Sequence, residues 1–377
     1  MAKRRIGAGD IIIGQPLPWN VFDADARLLL KAGEVVASES MLERLVKTGM
    51  YSDVDESGVD DTPVNVKDAP SAVRIISRAS RLLRKTLPLV TTLPDAEQQV
   101  RDIASMVYEA LDLDPDVAVA CIFLNQEAGP YVVRHCVDTA IVAALIARSM
   151  NKPSREIVTC IAAALTANLG MLDYQEHLDN KKEPLTQAEK DHIRKHPQHS
   201  VDMLRQSGIH DDAWLSYVQF HHENEDGSGY PYGKAGTEIP VYAKLIGLAD
   251  RYTARVTGKD YRKQALPNAA LRDIFLSKDK EIHPTLAPYF IKNIGLYPPG
   301  TLVKLKNDEI AVVIRKGDNP NHPKVFTVLT KSGTKPEAQL IRDTATPFFA
   351  IKEAVHREDV KAANFTMSRF WGDIAQY

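Results

Sequence analysis

From Tyr131 to Ser149 the chain is apolar on almost every side, with Ile141-Val142-Ala143-Ala144-Leu145-Ile146-Ala147 at its centre. A helix without a polar face has to lie among other helices, so this stretch commits the middle of the chain to a bundle. Its unbroken apolar run is too short to span a bilayer. The flanking patterns agree. Ser71 to Leu87, Asp95 to Leu113 and Asp116 to Leu124 read as helices before it. After it, Ser154 caps a helix that runs through Ala162-Ala163-Ala164-Leu165 to a stop at Gly170. Thr186-Gln187-Ala188-Glu189 is a capping box whose helix is expected to end near His196, because Pro197 disfavours helical geometry in the residue before it. Asp211 or Asp212 starts the helix that carries His221 and His222, and Pro240 opens another with Asp250 in its interior.

Around this core the chain divides by pattern. The expected fold class is mainly α: a helical bundle over 121–300, preceded by a linker and connecting helices over 61–120. Residues 1–60 read as a small mixed α/β regulatory or docking module. It has strands at Ile11-Ile12-Ile13, Leu28-Leu29-Leu30 and Tyr51-Ser52-Asp53-Val54, and a short helix from Ser38 to Lys47. The module suits sensing, docking or homodimerisation, or is a plain appendage. Asp55 to Pro70 is polar and acidic and reads as linker. Residues 301–346 alternate, giving a small β element with strands at Leu302–Leu305, Ile310–Ile314 and Val325–Leu329. The tail, 347–377, is weakly patterned, yet Phe365, Phe370, Trp371 and Tyr377 are aromatic enough to dock.

A formal charge of -2 gives no strongly basic face, which argues against DNA as a partner. The stripe Arg74, Arg78, Arg81 and Arg84 reads as a solvated helix face. Cys121, Cys136 and Cys160 show no CxxC spacing, hence neither a disulfide framework nor a cysteine zinc site. No apolar segment of signal-peptide length follows Met1-Ala2-Lys3-Arg4-Arg5, and no membrane span is expected. A cytoplasmic location is the simplest.

The polar residues stranded on apolar helices are His135, His196, His221, His222 and Asp250. One such histidine is ordinarily a hydrogen-bonded core residue; five in one bundle point to a shared cation. Imidazoles with a carboxylate suit zinc, iron, manganese or nickel and exclude an all-oxygen calcium cage. The loop Asp226-Gly227-Ser228-Gly229-Tyr230-Pro231 supplies the bend that lets adjacent imidazoles converge. His177 and His192 read as surface residues.

His221-His222-Glu223 leading into Asp226-Gly227-Ser228-Gly229-Tyr230-Pro231 resembles the signature of HD-GYP domains, bacterial relatives of the HD phosphohydrolases. Ile239-Pro240, Leu248-Ala249-Asp250, Tyr261-Arg262 and Ile294-Gly295-Leu296-Tyr297-Pro298-Pro299-Gly300 follow in that family's order, so the likeness covers roughly 120–330. The resemblance implies a helical bundle with two or three metal ions, usually iron or manganese, that hydrolyses cyclic di-GMP. By the same likeness His135, His196, His221, His222 and Asp250 are metal ligands, and Lys259 and Arg262, with Tyr230, meet the substrate. The Gly229-Tyr230-Pro231 loop is the place to dock a diguanylate cyclase (GGDEF) domain. The first 60 residues also look like a short module found ahead of such domains.

One motif departs. Where the family reads His-Asp-x-Gly-Lys, this chain reads Ala167-Asn168-Leu169-Gly170-Met171, and Tyr131 stands where some members carry a glutamate ligand. A dinuclear hydrolase needs an anionic bridge between its cations. Asn168 has no charge, Ala167 has no imidazole, and Met171 cannot stabilise developing charge on a phosphate as lysine would. The expectation is therefore a catalytically impaired cyclic di-GMP signalling protein that acts by nucleotide binding or protein contact. It would hold one Fe, Mn or Zn ion on His196, His221 and His222, or no ion at all. The alternative is a metal-dependent phosphodiesterase with a mononuclear or non-standard site.

Overall fold

The computed structural model describes residues 4–6, 17, 20–23, 27–38, 41, 45, 50–52, 70–125, 130–172, 174, 185–257, 264–277, 281–360 and 366–376. Two compact units emerge, Met1–Asp68 and Ala69–Tyr377. In the first, β1 (Arg4–Ile6), β2 (Val21–Phe22), β3 (Leu28–Leu30) and β4 (Met50–Ser52) form an antiparallel sheet in the order β1-β4-β2-β3. Leu17, Val21 and Val36 make its core, with Met41 and Leu45 packed against them. Met41 and Leu45 are helical, and the Met41 amide donates to the Ser38 hydroxyl, as an N-cap requires. The expected strand at Ile11–Ile13 and the linker at 55–69 lie outside the described residues.

The second unit is mainly α. Its first helices are α1 (Ala72–Thr86), α2 (Ala96–Leu113), α3 (Pro115–Leu124) and α4 (Tyr131–Ser149). Each start has a local cause. Ser71 accepts the Arg74 amide at the head of α1, and Asp114 accepts the amides of Asp116 and Val117 at α3, with Pro115 in the first turn. Along α4 every residue from Thr139 to Ala147 is buried, as its all-round apolar pattern demands. The bundle core already includes Val73, Ile76 and Leu83 of α1 and Val100, Ile103 and Val107 of α2. The connecting helices α1 and α2 thus bury their apolar stripes in the same core as α4.

Two helix ends differ from expectation. Helix α5 spans Ser154–Thr166 with Pro153, not Ser154, at its N-cap, and it gives way to a 3-10 turn over Leu169–Met171. Helix α6 spans Gln187–Gln206 and runs straight through Pro197. The capping box at Thr186 and Glu189 is present, but the expected stop near His196 is not. Packing of α6 against the turn at 167–171 outweighs the local cost of about 3 kcal/mol for an interior proline. Next come α7 (Asp212–Phe220), α8 (Val241–Val256), α9 (Pro267–Ser277) and α10 (Leu286–Ile294). Trp214 of α7, fully buried, donates its indole N–H to Thr166 at 2.9 Å and so joins α7 to α5.

The C-terminal β element is a five-stranded antiparallel sheet, order β8-β7-β6-β5-β9. Its strands are β5 (Leu302–Leu305), β6 (Ile310–Arg315), β7 (Lys324–Leu329), β8 (Ile341–Asp343) and β9 (Ile351–Ala354). Residues 347–377 are not a separate tail: β9 pairs with β5, Phe370 packs with Leu302, Val312 and Phe326, and Trp371 donates to the Ile314 carbonyl. Arg315 of β6 reaches Asp114 at 2.6 Å and so ties the sheet to the start of α3. Among the described residues no helix is long and apolar enough to cross a membrane.

Candidate metal centre

Three rings meet where α6, the end of α7 and α8 come together. Ligand nitrogens of His196, His221 and His222 all lie within 4.8 Å of one another, the only such group among the described residues. His196 sits mid-helix on α6, and its Nδ1 donates to the Ile193 carbonyl at 2.7 Å. His221 is the C-cap of α7, and its Nδ1 donates to Val218 at 2.6 Å. Gly247 of α8 lies against the His221 carbonyl, where a Cβ would stand 2.0 Å from that oxygen. Only glycine lets α8 approach so closely, and that approach sets the position of His221. His222 follows in the turn, its ring 4.1 Å from His221 and 5.0 Å from His196.

The acidic loop after the histidines holds its own shape. The Glu223 carboxylate accepts the amides of Tyr232 at 2.7 Å and Lys234 at 2.9 Å, and Asp226 accepts the Ser228 amide. Tyr230 turns inward and stacks on His222 with ring centres 4.7 Å apart. Its neighbour Tyr232 is the outward aromatic, 54% exposed. Of the Gly229-Tyr230-Pro231 set, the tyrosine thus faces the histidines, while the open surface belongs to the residues after it.

The other two candidate ligands pair with each other. His135 Nε2 lies 2.8 Å from Asp250 Oδ1, both side chains buried, and Thr253 lies beside the other nitrogen of His135 at 3.4 Å. Tyr131 stacks on His135 at 5.5 Å. Burial alone would raise the Asp250 carboxyl, but its bond to His135 and the nearby His222 and His221 hold it well below the usual range. The turn carrying Ala167 and Asn168, both buried, packs on α6: Ser200 donates to the Ala167 carbonyl and accepts the Gly170 amide, each at 2.8 Å. A Cβ on Gly170 would meet the Ser200 amide at 2.6 Å and the His196 carbonyl at 2.7 Å, which explains why glycine occupies this turn. Met171 is half-buried at its end.

Lys259 and Arg262 lie outside the described residues, as does His177. The described cations near the site are ones the sequence reading passed over. Arg194 covers the Tyr230 ring at 5.7 Å, and Arg251 follows Asp250 and donates to Asn224. An arginine on a charged helix reads as solvated until its neighbours are known, so no local signal singles out either. His192 packs on Tyr174 and lies outside the three-ring group.

The donors suit a borderline transition ion. Burial, with His221 nearby, lowers His196 to about 3, burial lowers His221, and burial with the other two rings lowers His222 well below its ordinary value. Both His196 and His221 spend their ring proton on a carbonyl, so their Nε2 lone pairs face each other at 3.3 Å. Two acceptors in contact repel unless a cation lies beside them. Three neutral imidazoles are a sufficient set for zinc, iron or manganese. An ion held there would supply Lewis acidity toward a phosphodiester oxygen or a water molecule.

Comparison with known proteins follows the same lines. Residues 119–286 match the HD domain family. The cyclic di-GMP phosphodiesterase PdeB of Borreliella burgdorferi is 26% identical over 61% of this chain and 62% of its own length, so the chain spans less than two thirds of that relative. A cyclic di-GMP phosphodiesterase of Pseudomonas aeruginosa is 24% identical over 83% of this chain and 79% of its own. Among solved structures, an HDG"Y"P protein from Bdellovibrio bacteriovorus matches with a TM-score of 0.52 at 15% identity, covering 77% of this chain and 99% of that one. At that identity the likeness speaks for the fold.

Proposed function

Because this chain belongs to the HD-GYP family of HD-domain proteins, we propose that it works in cyclic di-GMP signalling with one metal ion and little or no hydrolysis. His196, His221 and His222 hold the ion, which is iron, manganese or zinc. Cyclic di-GMP or a related nucleotide binds over it, met by Tyr230 and by Lys259 and Arg262. The observation that carries this reading is the contrast between two clusters. Three ring nitrogens converge, and among the described residues no carboxylate joins their group. His135 and Asp250, the remaining candidate ligands, are bonded to each other.

A second cation would need an anion to offset repulsion between the metals, and the buried turn at 167–168 offers a methyl group and a neutral amide. Signal output then runs through contact with another protein, a GGDEF domain being the partner that suits this family, or through a homodimer. Elemental analysis of the purified chain, calorimetry with cyclic di-GMP and a pull-down against GGDEF domains test the reading. One metal per chain with nucleotide or partner binding supports it; absence of all three removes it.

A second reading is favoured by the names of the relatives, which are phosphodiesterases of cyclic dinucleotides. In it the chain hydrolyses cyclic di-GMP with a single ion. Turnover with added manganese or iron, abolished by His221→Ala and His222→Ala, would establish it. A background rate under every metal would end it.

A further inference from the structure

We propose that Pro197 is a positioning residue: it determines which nitrogen of His196 faces the histidine cluster. In an uninterrupted α-helix the Ile193 carbonyl would accept the amide N–H of residue 197. Proline has no such N–H, so the middle of α6 contains a carbonyl that its own helix cannot satisfy. His196 Nδ1 takes it at 2.7 Å. A carbonyl only accepts, so Nδ1 carries the proton and the neutral ring presents Nε2 as a lone pair. That Nε2 lies 3.3 Å from His221 Nε2.

The same outcome arises at His221 by a different route. His221 caps the end of α7, where the last carbonyls lack helical partners as a matter of course, and its Nδ1 takes the carbonyl of Val218. A proline inside one helix therefore does for His196 what a helix end does for His221. Outer partners of this kind set ring orientation and donor strength in metal sites. An alanine at 197 would return an N–H to Ile193 and leave the His196 ring free to turn or to move its proton to Nε2.

The consequence for metal binding rests on the single-ion reading above; the tautomer itself does not. The test uses the full chain and Pro197→Ala, each with nitrogen-labelled histidine and stripped of metal. Long-range nitrogen–proton NMR reports which ring nitrogen of His196 is protonated, zinc titration reports affinity, and thermal melting reports stability. The expected result is Nδ1–H alone in the parent and a mixture in the variant. Zinc affinity falls about 10- to 100-fold while the melting temperature holds or rises, since alanine favours the helix. Nε2–H in the parent would overturn the proposal, and so would unchanged Nδ1–H in the variant, with or without a lower melting temperature. If zinc fails to bind the parent, the single-ion reading falls, yet the NMR comparison still decides the role of Pro197.

Discussion

His196 and His221 face each other across the bundle with Nε2 atoms 3.3 Å apart, each ring anchored through Nδ1 to a carbonyl of its own helix. Neither can donate toward the other without giving up that anchor. The pair is thus a built acceptor site, and on the single-ion reading proposed above the adjoining turn at 167–171 limits it to one cation.

Restoring that turn is the sharpest test of the charge argument. The combined variant Ala167→His, Asn168→Asp, Met171→Lys returns an imidazole, an anionic bridge and an ammonium group. Metal content should rise from one ion per chain to two, with cyclic di-GMP turnover at least about 100-fold above the parent, the scale on which electrostatic stabilisers act. Parent turnover equal to that of the restored variant would show that the turn does not limit hydrolysis.

Acid should destabilise the metal-free protein through the buried rings. Burial lowers His196 from 6.5 to about 3. Between those values the unfolded chain binds a proton that the folded chain refuses. The stability involved is complete above 6.5 and is lost as pH falls toward 3, at about 1.4 kcal/mol per pH unit for each such ring. Urea midpoints of the metal-free protein should drop between about pH 7 and about pH 5, and His196→Gln should flatten the dependence. A midpoint that rises toward acid would refute the neutral assignment.

Close packing of α6 on the 167–171 turn predicts a cost at Gly170. Its added Cβ would lie 2.6 Å from the Ser200 amide, so Gly170→Ala should destabilise by about 1–3 kcal/mol. Ser200→Ala leaves the Gly170 amide without its partner, at about 1–3 kcal/mol by the cost of an unmet buried donor. Denaturant titrations of both variants check this. Changes within about 0.5 kcal/mol, the range of ordinary surface substitutions, would show that the turn packs loosely.

The C-terminal segment should behave as part of the fold. Phe370 is buried against Phe326, and Ser71 at the head of α1 donates to the carbonyl of Ile374. Phe370→Ala should cost about 3–5 kcal/mol. Trp371→Phe, which removes the N–H donor to Ile314 together with part of the ring's packing, should cost at least about 1 kcal/mol. Thermal melts indistinguishable from the parent would mean that the segment is a passenger.

Much of this protein follows from local pattern. Apolar periodicity determined α4 to the residue, capping residues determined the starts of α6 and α7, and five polar residues stranded on apolar helices pointed to a cluster, of which the fold brings His196, His221 and His222 together. What local pattern could not decide depends on partners distant in sequence. Helix α6 passes through Pro197 because packing at Gly170 and Ser200 outweighs the local penalty. His135 answers to Asp250, which stands on α8, and β9 finds its edge beside β5. A sequence reports each residue's own preferences; only the folded chain determines which unsatisfied donor meets which unsatisfied acceptor.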